Sequence, residues 1–206
     1  MRKSNFLKGF FLAVGLSCLV CFTYMHSTKM GLARKIETNM ENTLYLDLKD
    51  GRVVIRMLPD VAPKHVARIK ELVRSGFYNG LTFHRVIEGF MAQGGDPLGN
   101  GTGGSGKKIP AEFTKKYSHK RGAVSMARAQ DPNSADSQFF IVTADSTYLD
   151  GQYTIWGYVI SGMEFVDNIK KGNSMQNGLV QDPDKIVKMT IASDVKGKYN
   201  DGRRKS

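Results

Sequence analysis

Cysteine is almost missing from this 206-residue chain, and the two that occur, Cys18 and Cys21, lie near its start. No disulfide framework can therefore exist beyond them, and the rest of the chain is indifferent to the redox state of its compartment. Their C-x-x-C spacing resembles a redox pair. Both thiols sit in an apolar run, however, where burial raises thiol pKa and suppresses reactivity, and no βαβ pattern surrounds them. Acidic residues are missing from residues 1–27, where Arg2, Lys3 and Lys8 supply +3 of a net charge of +11. The remaining cations are scattered, and no Lys/Arg run is interleaved with aromatics. A nucleic-acid-binding stripe is thereby excluded, leaving a solvated basic surface. Internal repeats are also lacking.

What is present is ordinary for a globular protein: 41% hydrophobic and 24% charged residues. The length suits one domain plus accessory segments. Residues 9–28 (GFFLAVGLSCLVCFTYMHST) contain no Lys, Arg, Asp or Glu and follow the positive start MRKSNFLK. This is the order of an export signal. As a helix, twenty residues span about 30 Å, enough to cross the hydrocarbon core of a bilayer. Residues 1–28 thus read as a signal peptide or a signal-anchor transmembrane helix. The small-residue pair Gly15/Ser17 comes too early for cleavage and Gly31/Ala33 too late, which favours an uncleaved anchor. The expected location is the periplasm, either free or held at the inner membrane. Residues 29–42 then form a linker and 194–206 a basic tail.

Between these, residues 43–58 (TLYLDLKDGRVVIRML) are two alternating runs split by Asp50-Gly51, a hairpin signal. Leu44, Leu46 and Leu48 share one face, as do Val53, Ile55 and Met57. Pro63 suits the first turn of a helix carrying Val66, Ile69 and Val73, with Gly76 as its stop. Further strands are expected at 123–127, 138–143, 155–160 and 186–192, and a second helix over 163–171, with Phe165, Val166 and Ile169 inward and Gly172 as stop. Many strands with two helices point to a closed antiparallel barrel rather than βαβ units.

Residues 101–107 (GTGGSGK) match G-x-G-x-x-G and nearly match a P-loop. Lys108 stands where a hydroxyl should hold Mg²⁺, Pro110 follows, and no amphipathic helix begins. A surface loop is expected instead of a nucleotide site.

The informative stretch runs from Phe83 to Asp96 (FHRVIEGFMAQGGD). On a strand, Arg85 would share a face with Phe83 and Ile87, placing a cation among apolar side chains. The segment resembles the cyclophilin signature, in which FHR and GFM-x-QGGD recur at this spacing. The resemblance continues through Ser125–Ala129, Asn133, Ser137–Ile141, Tyr148–Gly151, Trp156-Gly157 and Gly162-Met163, covering residues 43–193. The chain is identified on these blocks as a member of the cyclophilin-type peptidyl-prolyl cis-trans isomerases, of bacterial-like form.

The resemblance implies a mainly β fold, an eight-stranded closed antiparallel barrel capped by two α-helices, with the active groove outside the barrel and no metal or cofactor. It implies that Phe90, Met91, Phe140 and Leu149 grip a proline ring while Arg85 donates to the prolyl carbonyl and reaches the imide nitrogen. Gln93 and the backbone of Ala127 and Arg128 would hold the peptide, with Gln138, Tyr148 and Tyr153 completing the site. Tyr148 and Tyr153, both implied to lie at the groove rim, depart from the best-known eukaryotic members, which carry Trp and His there. The implied partners are proline-containing polypeptides and folding clients of a monomeric chaperone-like enzyme. A proline-peptide-binding chaperone module with little turnover is the alternative; loss of Arg85 would have favoured it. A hydrolase built on Ser134, Ser137 or Asp136 lacks a nucleophile-elbow motif.

Overall fold

The structure, a computed structural model, describes residues 39–195. The apolar run 9–28 with both cysteines, most of the linker and nearly all of the basic tail lie outside the described residues. Among the described residues, no helix is long and apolar enough to cross a membrane. The unit considered below begins at Glu41.

The expected hairpin forms from β1 (Thr43–Asp47) and β2 (Arg52–Met57), with Asp47 opposite Arg52 and Leu48 N–H bonded to Gly51 O at 2.9 Å. Alternation sends Leu44, Leu46, Val53 and Ile55 into the core, where none retains exposure. Helix α1 (Pro63–Arg74) follows and buries Val66, Ile69, Leu72 and Val73. It stops at Ser75 because Gly76 adopts φ +76°, a left-handed conformation that costs glycine no side-chain clash. No side chain at Ala62 caps its N-terminus. The Glu112 carboxylate, 47 residues away from His65, does so instead, accepting the N–H groups of Lys64 and His65 at 3.0 Å each. This satisfies donors that a helix start otherwise leaves orphaned.

The stretch from Phe83 to Asp96 resolves into β3 (Arg85–Ile87) and β4 (Met91–Gly94), turning through Glu88, Gly89 and Phe90. Next come β5 (Ala123–Met126), β6 (Phe139–Val142), β7 (Ile155–Ser161) and β8 (Lys188–Ile191). Single 3₁₀ turns occupy Thr147–Leu149 and Ser174–Gln176. Helix α2 covers only Met163–Asp167, shorter than the 163–171 expected. Lys170 leaves the helix because its N–H bonds Asp184 Oδ2 at 2.8 Å. Val166 and Ile169 are nevertheless buried as expected.

All eight strands form one antiparallel sheet in the order β3-β4-β6-β5-β7-β2-β1-β8. The expectation of a closed barrel is corrected here. The end strands β3 and β8 do not pair, and the sheet is curled but open. Irregular segments bridge the gap instead: Phe83 N–H bonds Asp184 O, Ile186 N–H bonds Leu81 O, and Val180 N–H bonds His84 O, all at 2.8–3.0 Å. Pairing through loops satisfies the backbone without imposing a strand register.

The concave side holds the main core. Its aromatic centre runs Tyr78, Phe139, Trp156, with Phe83 also against Phe139, in edge-to-face contacts of 5.7–6.3 Å between ring centroids. Such pairs add about 0.5–1.5 kcal/mol each beyond area burial. Phe83 therefore faces inward, correcting the expectation that it shares a face with Arg85. Inward-facing Phe83 and Val86 are three residues apart, so the two-residue alternation slips at His84 before β3 begins.

Candidate active site

The outer face of the same sheet carries a second, smaller apolar cluster: Met91, Ala123, Phe140, Val142 and Leu149, with Ile87, Phe90, Tyr153 and Tyr158 packed on it. Strand register explains it. Arg85 lies opposite Gln93, Gln93 opposite Phe140, and Phe140 opposite Ser125, so one transverse row of β3, β4, β6 and β5 points outward. A groove of about 570 Å³ opens over this row. Arg85, Phe90, Met91, Gln93, Ala127, Arg128, Phe140, Leu149 and Tyr153 all line it. Two expected residues do not. Gln138 lies behind Gln93, and Tyr148 stands at the rim, 63% exposed, with its ring 5.9 Å from that of Phe90.

Arg85 is held from two sides. Its Nη1 donates to Gln93 Oε1 at 3.0 Å, Nη2 to Asn177 Oδ1 at 2.9 Å, and Nε to Asn177 O at 3.0 Å. A guanidinium has five N–H donors, so one on each terminal nitrogen is left over. The network continues from Gln93 Nε2 to Gln138 Oε1, and from Gln138 Nε2 to the carbonyls of Gly101 and Gly103. Burial lowers the Arg85 pKa from its usual value, partly offset by Tyr153 and Tyr148. A guanidinium still keeps its charge at any physiological pH.

Asn177 was not foreseen, nor were His84, Asn100, Gly101, Gln176 and Leu179, which complete the lining. Asn177 adopts φ 53°, which asparagine tolerates better than most residues, and Gly178 follows at φ +80°. A Cβ on Gly178 would overlap Ile87 Cγ1 and come within 3.0 Å of Val86 O. That close approach lets Gly178 O accept from Val86 N–H at 2.8 Å and lays Asn177 beside Arg85. The Asn-Gly dipeptide signals a tight turn; nothing in the sequence says what it turns onto.

Behind the pocket floor, Asp150, His119 and Ser125 form a chain of 2.7 and 2.9 Å. Burial holds the His119 pKa below its usual value, with Asp150 opposing. In the neutral ring Nδ1–H must donate to the carboxylate, so Nε2 accepts from the Ser125 hydroxyl. This resembles a hydrolytic triad in order only. Ser125 has no exposed surface, and the His119 ring stacks on Phe140 at 6.2 Å. The chain supports the pocket floor. The hydroxyls of Ser134 and Ser137 donate to the carbonyls of Asp131 and Gly95, with no histidine on either.

The glycine-rich loop binds its own carboxylates. Asp96 accepts the N–H groups of Leu98, Asn100 and Gly101 at 2.6–3.0 Å. Asp136 accepts those of Ser105 and Gly106. The donors that would cradle a phosphate are already used.

With this geometry in place, residues 43–191 match the family model described as cyclophilin type peptidyl-prolyl cis-trans isomerase. The chain belongs to the cyclophilin family. The chain is 56% identical over 168 residues to a Brucella suis protein named "Probable peptidyl-prolyl cis-trans isomerase", covering 76% of this chain and 85% of the relative. To peptidyl-prolyl cis-trans isomerase B of Bacillus subtilis it is 44% identical over 141 residues, covering 68% and 98%. Among solved structures, a Cryptosporidium parvum cyclophilin crystallised with the dipeptide Ala-Pro superposes with TM-score 0.66 and 30% identity, covering 72% of this chain and 98% of that one. A cyclophilin from Hirschia baltica gives TM-score 0.67 at 28% identity, covering 75% of each chain. The cyclophilin domain of this chain is a peptidyl-prolyl cis-trans isomerase.

Proposed function

We propose that the outer groove binds X-Pro segments with the proline ring against Met91, Phe140 and Leu149 and the amide beneath Arg85. The observation that carries this reading is the clamped guanidinium with two unused donors beside an apolar pocket. Rotation about an amide crosses about 18–20 kcal/mol because the C–N bond has double-bond character. No nucleophile is needed; the site must bind the twisted amide better than either planar form. Twisting localises a lone pair on the imide nitrogen, and a fixed donor there stabilises the twisted state selectively. The related Cryptosporidium cyclophilin solved in the presence of the dipeptide Ala-Pro supports proline-containing peptides as the ligand class. Adding a short Ala-Pro peptide to the full chain should shift the Met91 methyl and Arg85 Nε–H resonances together. Turnover that leaves both unmoved would place the site elsewhere.

The body acts outside the cytoplasm in this reading, exported by residues 9–28 and kept at the inner membrane as an anchored folding catalyst and chaperone. Support comes from the charge-free run after a basic start. Cell fractionation should find the protein with membranes and its body open to protease from the periplasmic side. A body that is soluble and protected in the cytoplasm would overturn export, and a mature N-terminus near Lys35 would overturn the anchor.

Tyr148 bears on ligand preference. The family resemblance implies an indole N–H at this rim position in Trp-bearing relatives, donating to a carbonyl of the cyclic peptide ciclosporin. Tyrosine carries its hydroxyl at the ring tip and cannot place a donor at the same point. A ligand carbonyl left unpaired costs about 1–3 kcal/mol, or roughly 5- to 150-fold in affinity. Tyr148→Trp should tighten inhibitor binding by that factor in a calorimetric titration while turnover stays similar. Unchanged affinity would shift attention to Tyr153.

A further inference from the structure

None of the residues lining the groove is acidic, and two are arginines. Among the described residues, neither Arg85 nor Arg128 belongs to an ion pair. Arg128 is nonetheless fixed. Its Nε and Nη2 donate to Gln152 O at 3.1 and 2.9 Å, and Nη1 donates to the carbonyls of Ala129 and Gln130 at 2.8 and 2.9 Å. Its guanidinium also lies 4.8 Å from the centroid of the Tyr153 ring. Carbonyls and a ring face orient a cation without neutralising it. The result is a half-buried, preorganised positive charge with one Nη2 hydrogen left over.

Its place along the groove is defined. Ala127 N–H bonds Gln138 O at 2.9 Å, so Arg128 follows the end of β5, beyond the row of Gln93 and Phe140 and away from Val142. The acids of the neighbouring loops are engaged: Asp131 accepts Asn133 N–H, and Asp150 holds Ser118 and His119. Three of the five Arg85 donors are likewise taken by Gln93 and Asn177.

We propose that the groove selects X-Pro segments bearing a carboxylate close to the proline, on the side that lies against Ala127 and Arg128, and that Arg128 determines this preference. The inference rests on the groove being the peptide site. Partners in this class are acidic stretches around proline. Basic ones are disfavoured by both guanidiniums, since like charges brought together in a groove oppose binding.

The test is a set of short Xaa-Pro peptides carrying Glu, Gln or Lys one or two residues before, or one or two after, the proline. Isomerisation by the full chain is followed by exchange NMR, so that no helper protease imposes its own charge preference. On one side of the proline, Glu should exceed Gln in kcat/KM by about 2- to 5-fold at low salt, the range of a partly exposed ion pair, with Lys below both. The ratio should fall towards one in about 1 M salt, where screening acts within about 3 Å. Arg128→Gln should abolish the Glu/Gln ratio whatever happens to absolute rates, and Arg128→Lys should retain part of it. Equal rates for Glu and Gln at every position, or a preference that survives Arg128→Gln, would overturn the inference. Failure to turn over the Gln peptides at all would overturn the reading of the groove itself.

Discussion

Replacing Arg85 by alanine is expected to lower kcat/KM by ~10²-fold or more while leaving the fold in place. One preorganised donor aimed at developing charge contributes about 3–4 kcal/mol, and Arg85 keeps two unused donors beside the Met91–Phe140 pocket. The side chain lies on the outer face, outside the main core, so its removal opens no cavity there. Arg85→Lys should recover little, because an ammonium lacks the planar fork that reaches Gln93, Asn177 and the substrate together. Thermal unfolding run beside the kinetics separates the cases. Near wild-type turnover in Arg85→Ala would remove the residue from the catalytic role, and a large loss of Tm would make it structural.

A second large effect is expected at Asp96, which does not itself line the groove. Asp96→Ala leaves the N–H groups of Leu98, Asn100 and Gly101 without their acceptor. At about 1–3 kcal/mol for each orphaned buried donor, discounted because the loop is only partly buried, the loss is roughly 3 kcal/mol. Activity should fall as well, by about tenfold. Gly101 O anchors Gln138, Gln138 anchors Gln93, and Gln93 orients Arg85, so a displaced loop unfixes the guanidinium. Small misplacements of catalytic groups have effects of this size. Burial alone would raise the Asp96 pKa, but the N–H groups of Leu98, Gly101, Gly103 and Asn100 outweigh it and hold the carboxyl below its usual value. A depressed carboxylate stabilises the fold fully above its unfolded pKa of about 4, and that contribution disappears as pH falls through the lower folded value. Wild type should therefore lose stability below about pH 4 more steeply than Asp96→Ala. Parallel acid-unfolding curves would contradict this account, as would a variant as stable and active as wild type.

Much of this was legible in the sequence, for identifiable reasons. The β1–β2 hairpin was legible because alternation and Asp50-Gly51 agree, and α1 because Pro63, its apolar spacing and Gly76 agree. The site residues on β4 and β6 followed from contiguous motif blocks. What the sequence does not show depends on contacts between distant segments. Asn177 and Leu179 reach the groove only because the 172–180 segment pairs irregularly with β3. Gln138 is expected at the site but is turned behind Gln93, whereas Tyr148 stands at the rim, where the resemblance implies it. The closed barrel failed for a related reason: strand number can be counted from periodicity, whereas whether the end strands meet depends on the loops between them. The inward turn of Phe83 reflects a break in alternation at His84 that no pattern of period two can announce.

Phe139 and Phe140 are consecutive on a strand of four residues, one sealing the main core and the other flooring the groove. Adding or deleting one residue in β6 would exchange their faces, sending the groove floor inward and the core aromatic out. Catalytic shape and foldability are thus written in the same reading frame of the strand. Length variation that spares one must spare both, and in this chain it is free to accumulate only in the connecting loops.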